Sequence, residues 1–280
     1  MIPETISQEV TGIIFDIDHF AVHDGPGIRS VIYFKGCPLR CLWCHSPESL
    51  ERRPEPVYIK EKCKSCISCA GEGCPYGAQS ICGRTVSVNE IVDEILSQRT
   101  FFVSSGGGVT FSGGEPLFQP EFITAILRKL HKEGIHTITE TSMMCDADVI
   151  KDIYEFTDTF YCDVKMIDPV KHKLYTGHDN ITILSNIKML SKLRDRQGIV
   201  LRIPLIPGYT DAADDIAKVY RFAGEAGLSE IHLLPYNPSA PAKYEWLSID
   251  YKPGIMERQS SEYLDALITA VPAGLNIKII

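Results

Sequence analysis

"GCPLRCLWCHSPES", residues 36–49, places three cysteines in one short loop, Cys37, Cys41 and Cys44, spaced C-x3-C-x2-C. A structural metal site normally closes on four ligands; a set of three leaves a coordination position open for chemistry. The loop follows VIYFKG (31–36), an apolar run of β-branched and aromatic residues that reads as a strand. Five more such runs come later: GVTFSGG (108–114), IHTITE (135–140), TFYCDVK (159–165), IVLRIPLI (199–206) and EIHLLPY (230–236). Between them EFITAILRKLHKE (121–133), DADVIKDIYEF (146–156), NITILSNIKMLSKL (180–193) and DDIAKVYRFAGEAG (214–227) carry apolar residues at helical spacing. Ser87 followed by Glu90 predicts a capping box at the start of a helix through Leu96. Strand and helix alternate, which predicts an α/β fold with a parallel sheet. Six units predict a partial (β/α)6 barrel, with NIKII at the C-terminus as an added edge strand.

In such barrels the site lies at the carboxyl ends of the strands. There the sequence carries the cysteine loop, SGGEP (112–116), ETS (140–142), DVK (163–165), Arg202 with IPGYTD (206–211), and PYN (235–237). Any one of these could be a turn, a surface ion pair or a helix cap. Six at one rim point to a site.

The segment 54–86 breaks the alternation and reads as a loop-like insert, leaving 1–53 and 87–280 as the barrel domain. It holds CKSCISCAGEGCP, with Cys63, Cys66, Cys69 and Cys74, and a fifth thiol at Cys82. C-x2-C-x2-C before a Cys-Pro is the ferredoxin pattern for an iron–sulfur cluster, here with a four-residue last spacer. Four thiols also suit zinc. Either Cys74 or Cys82 completes the set.

The 280 residues are 44% hydrophobic and 23% charged, with a net charge of -8. That composition is ordinary for a globular protein, and the acidic balance argues against a nucleic-acid surface. No apolar run approaches the roughly 20 residues of a membrane span. MIPETISQEV lacks the basic-then-apolar order of a secretion signal. The expectation is a cytoplasmic chain whose thiols stay reduced, so the ten cysteines, eight of them between 37 and 82, call for metal rather than disulfides. Cys145 and Cys162 stand alone and read as buried small hydrophobes.

HDGPGIRS (23–30), GCPLRCLWCHSPES, the cysteine-rich insert, FSGGEP (111–116), CDVK (162–165) and IPGYTD together resemble a radical S-adenosylmethionine enzyme. Within that superfamily they resemble a glycyl-radical-enzyme activating enzyme of the pyruvate formate-lyase activase type. The resemblance implies an oxidoreductase in which Cys37, Cys41 and Cys44 hold a [4Fe–4S] cluster and S-adenosylmethionine chelates the fourth iron. Reduction would cleave the cosubstrate to methionine and a 5′-deoxyadenosyl radical, which takes hydrogen from a glycine of a partner enzyme. It implies further that Gly113, Gly114 and Glu115 approach the methionine end and that Trp43 packs near the adenine. Glu140, Thr141 and Asp163 would line a monovalent-cation site, and Asp163 with Lys165 would sense the partner's loop. Arg202 and Asn237 would contact the cosubstrate, and Asp24 would bind the glycyl loop. One auxiliary [4Fe–4S] cluster is implied in the insert, with Cys63, Cys66 and Cys69 and either Cys74 or Cys82, and reduced flavodoxin or ferredoxin as electron donor. Two readings from other classes stand beside this one: an iron–sulfur electron carrier without catalysis, and a radical enzyme acting on a small molecule. Two departures from the family pattern are Ser46 after Cys44-His45, where asparagine is usual, and Asn237 after Pro235-Tyr236, where histidine is usual.

Overall fold

The computed structural model describes residues 9–67, 69, 73–195, 197–254, 256–269 and 271–280. Ser68 and residues 70–72 of the cysteine-rich run, and the first eight residues of the chain, lie outside that set. The strands are β1 (Thr11–Ala21), β2 (Arg29–Phe34), β3 (Glu55–Tyr58), β4 (Gln79–Cys82), β5 (Arg84–Ser87), β6 (Gly108–Gly113), β7 (Thr137–Thr141), β8 (Thr159–Asp163), β9 (Ile199–Leu205), β10 (Glu230–Pro235) and β11 (Asn276–Ile279). The helices are α1 (Val88–Ser97), α2 (Arg99–Ser105), α3 (Pro120–Lys132), α4 (Ala147–Ile153), α5 (Pro169–Thr176), α6 (Ile181–Leu193), α7 (Ala213–Ala226), α8 (Ala240–Trp246) and α9 (Ser261–Thr269).

One sheet runs in the order β11-β10-β9-β8-β7-β6-β2-β1-β5. The six strands read from the sequence are β2 and β6 to β10, each parallel to its neighbour, and NIKII forms the parallel edge strand β11. Residues from the end of β2 through β10 and on to Ile280 line one cavity, so the sheet curls round it as a partial barrel. Helices cover the outer face. Phe122, Ile123, Ile126, Leu127 and Leu130 of α3 are fully buried, with Phe34 stacked 5.6 Å from Phe122. Each such side chain contributes about 1.5–3 kcal/mol when removed from water. The capping box forms as expected: Glu90 N donates to Ser87 Oγ at 3.2 Å and Ser87 N to Glu90 Oε2 at 2.6 Å.

Four strands lie outside the alternation. β1 pairs antiparallel with β2 on one side and with β5 on the other, Thr11 opposite Ser87 and Ile14 opposite Arg84. The boundary expected at 86/87 therefore falls inside a strand of the main sheet. Residues 84–86, placed with the insert by their sequence, belong to the barrel edge through this pairing. β3 and β4 form a separate antiparallel pair, Glu55 opposite Cys82 and Tyr58 opposite Gln79. Among the described residues no helix is long and apolar enough to cross a membrane.

Candidate active site

At the carboxyl ends of the parallel strands lies a cavity of about 520 Å³, the size of a small-molecule site. Cys37, Cys41, Trp43 and Cys44 enter it from the loop after β2. Gly113 and Gly114 come from the end of β6, Glu140 and Thr141 from β7, Asp163 and Lys165 from the end of β8, Arg202 from β9 and Asn237 from beyond β10. Asp24 reaches it from the DGPG turn. The fold thus brings together residues more than 200 positions apart in the chain.

Backbone bonds fix the cysteine loop. Gly36 N donates to the Ser49 carbonyl at 2.6 Å, Arg40 N to the Thr176 carbonyl at 2.8 Å and Leu42 N to the Tyr175 carbonyl at 3.0 Å, so the end of α5 carries the loop. From the other side Tyr244 of α8 donates its hydroxyl to the Cys44 carbonyl at 3.0 Å. Trp43 is 5% exposed and packs with Tyr209 and Tyr175, ring centroids 5.6 and 6.3 Å away. Trp43 lines the cavity, and the two tyrosines back it from behind. Burial pushes the thiols of Cys37 and Cys41 up, and that of Cys44 up to about 12, the neighbouring Cys41 adding to the effect at Cys44. A bound metal's positive charge would hold them as thiolates.

The ends of β7, β8 and β9 carry paired charges. Arg202 bonds Glu140, which also accepts from Ser112 Oγ at 2.6 Å, and Lys165 bonds Asp163 at 3.0 Å. Burial alone would push the Lys165 ammonium down, but Asp163 and the cysteines beyond it hold it above the usual lysine range. Likewise burial would lower the Arg202 guanidinium, but Glu140 and Asp163 together hold it above its usual range. Burial raises the Asp24 carboxyl more than the nearby Arg202 lowers it.

Glu115 departs from expectation. It is fully buried behind the rim, away from the cavity. Its Oε1 accepts from Leu117 N (3.1 Å) and Thr141 Oγ1 (2.7 Å), and its Oε2 from Ser142 N (2.8 Å) and Ser142 Oγ (2.6 Å). Both oxygens are fully used in tying the end of β6 to the end of β7, which leaves none to stabilise a cosubstrate's edge. Gly113 and Gly114 do allow close approach, but between protein segments. Gly113 has φ +108°, and a Cβ on Gly114 would fall 2.5 Å from the Gly36 carbonyl oxygen.

In the insert the thiols divide. Cys69 Sγ lies 3.8 Å from Gln79 Oε1, and Cys63 is held below the usual thiol range by a bond from Tyr58, the residue opposite Gln79. Backbone N–H groups of Tyr76 and Ala78 lower Cys74 in the same way. Cys82 stands three residues beyond Gln79 on β4, about 10 Å at the strand rise. Its thiol is turned to the Glu48 carbonyl at 3.9 Å, and burial raises it. Among the described residues no three His, Cys, Asp or Glu side chains converge on a single-ion site. Three thiols on one loop around one cavity suit a multi-iron cluster.

Residues 31–223 match the family model for the radical SAM superfamily. The chain belongs to that superfamily. The isethionate sulfite-lyase activating enzyme of Oleidesulfovibrio alaskensis is 33% identical, the match covering 94% of this chain and 96% of that one. The indoleacetate decarboxylase activating enzyme of Tractidigestivibacter scatoligenes is also 33% identical, over 87% and 89% of the two chains. Among solved structures, a domain of a pyruvate-formate lyase-activating enzyme from Bacteroides vulgatus matches 62% of this chain and 99% of its own, with 27% identity and a TM-score of 0.52. The family expected from the sequence, the glycyl-radical-enzyme activating enzymes among radical SAM proteins, is the family of this chain.

Other residues of this radical SAM site were not read from the sequence. Ser112 holds Glu140, Ser142 holds Glu115, and Lys243 of α8 pairs with Glu48 at 2.7 Å beside the cysteine loop. Ser112 and Ser142 sit inside SGGEP and ETS, so a reading of every hydroxyl at the rim would have found them. The α8 pair had no such signal, because PSAPAKYEWL matches the family pattern only loosely.

Proposed function

We propose that this protein installs a glycyl radical in a partner enzyme, using the cavity that Cys37, Cys41 and Cys44 share with Trp43, Arg202 and the Asp163–Lys165 pair. The observation that carries the reading is the three-thiol loop facing a cavity into which, among the described residues, no fourth thiol projects. Those thiols would hold a [4Fe–4S] cluster with one iron free for S-adenosylmethionine. When bound, the cluster supplies the electron that breaks a sulfonium carbon–sulfur bond of the cosubstrate. The protein's own part is to position and to exclude water. Trp43, backed by Tyr175 and Tyr209, gives the adenine an apolar face, and Arg202 presents a buried cation to the ribose or carboxylate side. Asn237 lies at the far rim, its Oδ1 engaged by Ser239, and its role toward the cosubstrate belongs to this proposal. Asp24 would accept hydrogen bonds from the backbone of the partner's glycyl loop. For a monovalent cation we propose Glu140, Thr141 and Asp163, in competition with Arg202 and Lys165, whose charges already face those carboxylates.

For the insert we propose one auxiliary [4Fe–4S] cluster on Cys63, Cys66, Cys69 and Cys74. The separation of Cys82 along β4 and its turn toward Glu48 support Cys74 as the fourth ligand. The partners named for the relatives, a sulfite-lyase and a decarboxylase, give the class of enzyme to try, with reduced flavodoxin or ferredoxin as donor. The test is iron content together with cosubstrate cleavage under strong reductant. Replacing Cys63, Cys66 and Cys69 by alanine should remove roughly half the iron. Cys74→Ala should destabilise that same cluster while Cys82→Ala retains it. Cys41→Ala should abolish formation of 5′-deoxyadenosine. Zinc in the insert, or cleavage that survives Cys41→Ala, overturns the reading.

A further inference from the structure

The DGPG turn is shaped by a charged side chain buried beneath it. Arg29, which ends HDGPGIR and begins β2, is fully buried. Its Nε donates to Thr110 Oγ1 at 2.7 Å, Nη1 to the Pro26 carbonyl at 3.1 Å and Nη2 to the Val109 carbonyl at 2.6 Å. Nη2 also lies 3.4 Å from the His136 carbonyl and from its Nδ1. These partners are a hydroxyl, carbonyls and a ring, not a carboxylate. Thr110 in turn donates its hydroxyl to the Asp24 carbonyl at 2.8 Å. The carbonyls on either side of Gly25 are therefore both tied to one guanidinium, one directly and one through Thr110. Gly25 itself has φ +133°, and a Cβ there would fall 2.3 Å from Ile138 Cδ1 and 3.0 Å from Arg29 Cδ. The turn is thus clamped from below with no free space.

A buried charge among neutral acceptors is costly to desolvate. Burial lowers the Arg29 guanidinium to about 10. Only a planar fork of five donors can span a hydroxyl and several carbonyls at once; an ammonium presents one point.

We propose that Arg29 is a positioning residue of the partner site, holding the DGPG turn so that the Asp24 carboxylate faces the cavity where the glycyl loop docks. This rests on the reading of Asp24 given above and goes beyond it, since Arg29 touches neither cosubstrate nor partner. The experiment is a double-mutant cycle on iron-loaded protein with S-adenosylmethionine bound. It is read as affinity for a synthetic peptide of the glycyl loop of isethionate sulfite-lyase, alongside hydrogen exchange in residues 23–28. Asp24→Asn and Arg29→Lys should each weaken the peptide by roughly tenfold or more, and the double variant should be no worse than the weaker single variant within about twofold. In Arg29→Lys the turn amides should exchange faster while those of β6 and β7 keep their protection. Losses that multiply, or a peptide affinity equal to the parent's in Arg29→Lys, overturn the positioning role. So does unchanged exchange in residues 23–28, whatever the peptide does. If Asp24→Asn alone binds like the parent, it is the partner reading of Asp24 that falls. Should Arg29→Lys not fold, Thr110→Val cuts the link to the Asp24 carbonyl and keeps the charge. It should weaken the peptide in the same direction, and an affinity equal to the parent's would again overturn the role.

Discussion

Glu115 sits in the SGGEP motif at a strand end, where a carboxylate reads as a ligand contact, yet it is turned inward to four donors from Leu117, Thr141 and Ser142. Residue types at the rim are legible in a sequence because each motif stays contiguous. Their partners are not, because Glu115 meets Ser142 across 27 positions and Arg202 meets Glu140 across 62. Those pairings exist only once β6, β7 and β9 are in register. Glu115→Gln puts an amide donor in place of one carboxylate oxygen, against a backbone N–H that can only donate, that of Leu117 on one side or of Ser142 on the other. The expected cost is about 1–3 kcal/mol, seen as a fall in thermal midpoint of roughly 2–8 °C. S-adenosylmethionine affinity should change by less than about twofold. A loss of affinity without a loss of stability returns Glu115 to the cosubstrate site.

At the scale of elements, the parallel strands and their helices were legible because their periods are strong and their ends are marked by turn residues. β1 was not. Ile13, Ile14 and Phe15 are apolar on both faces, His19 and Phe20 reverse the alternation that Asp16 and Asp18 keep, and register shifts between Ile14 and Asp16 and between Asp18 and Ala21 blur the period of two. β5 is four residues long and gains its place only by pairing with β1. Contacts between helices were equally hidden. Asp215 in the first turn of α7 accepts from Lys218 at 2.6 Å and from Lys171 of α5 at 2.9 Å. These two bonds, Lys218 first, hold its carboxyl below the usual carboxylate range. The folded chain therefore binds this proton less tightly than the unfolded chain. The stabilisation is fully present above the unfolded value of about 4 and fades as pH falls through the lowered folded value. The lysines are half-exposed, so Asp215→Asn should cost only about 0.5–1 kcal/mol at neutral pH. The gap between parent and variant should close in acid denaturation curves. A gap that is constant with pH would assign the effect to packing instead.

For the molecule as a whole, two cysteine sets in one chain predict two metal centres, the second of them a proposal, and the rim motifs read from the sequence meet at one cavity. What the sequence could not convey is how the pieces lean on each other. The fully buried Lys35 donates to the Glu48 carbonyl at 2.6 Å and to Glu55 Oε1 at 2.9 Å, joining the cysteine loop to the first strand of the insert. α8 closes over the same loop through Lys243 and Tyr244. The three-thiol loop is therefore held from the sheet, from α5, from α8 and from the insert, which suits a site that must keep one position open without collapsing. The measurement that bears most directly on that open position is electron–nuclear double resonance of the reduced, iron-loaded protein, with S-adenosylmethionine isotope-labelled in its amino and carboxylate groups. Coupling of both labelled groups to the cluster, lost in Cys41→Ala and kept when Cys63, Cys66 and Cys69 are replaced together, is the expected result. A reduced cluster whose spectrum ignores the cosubstrate, with a protein thiolate on every iron, would contradict it.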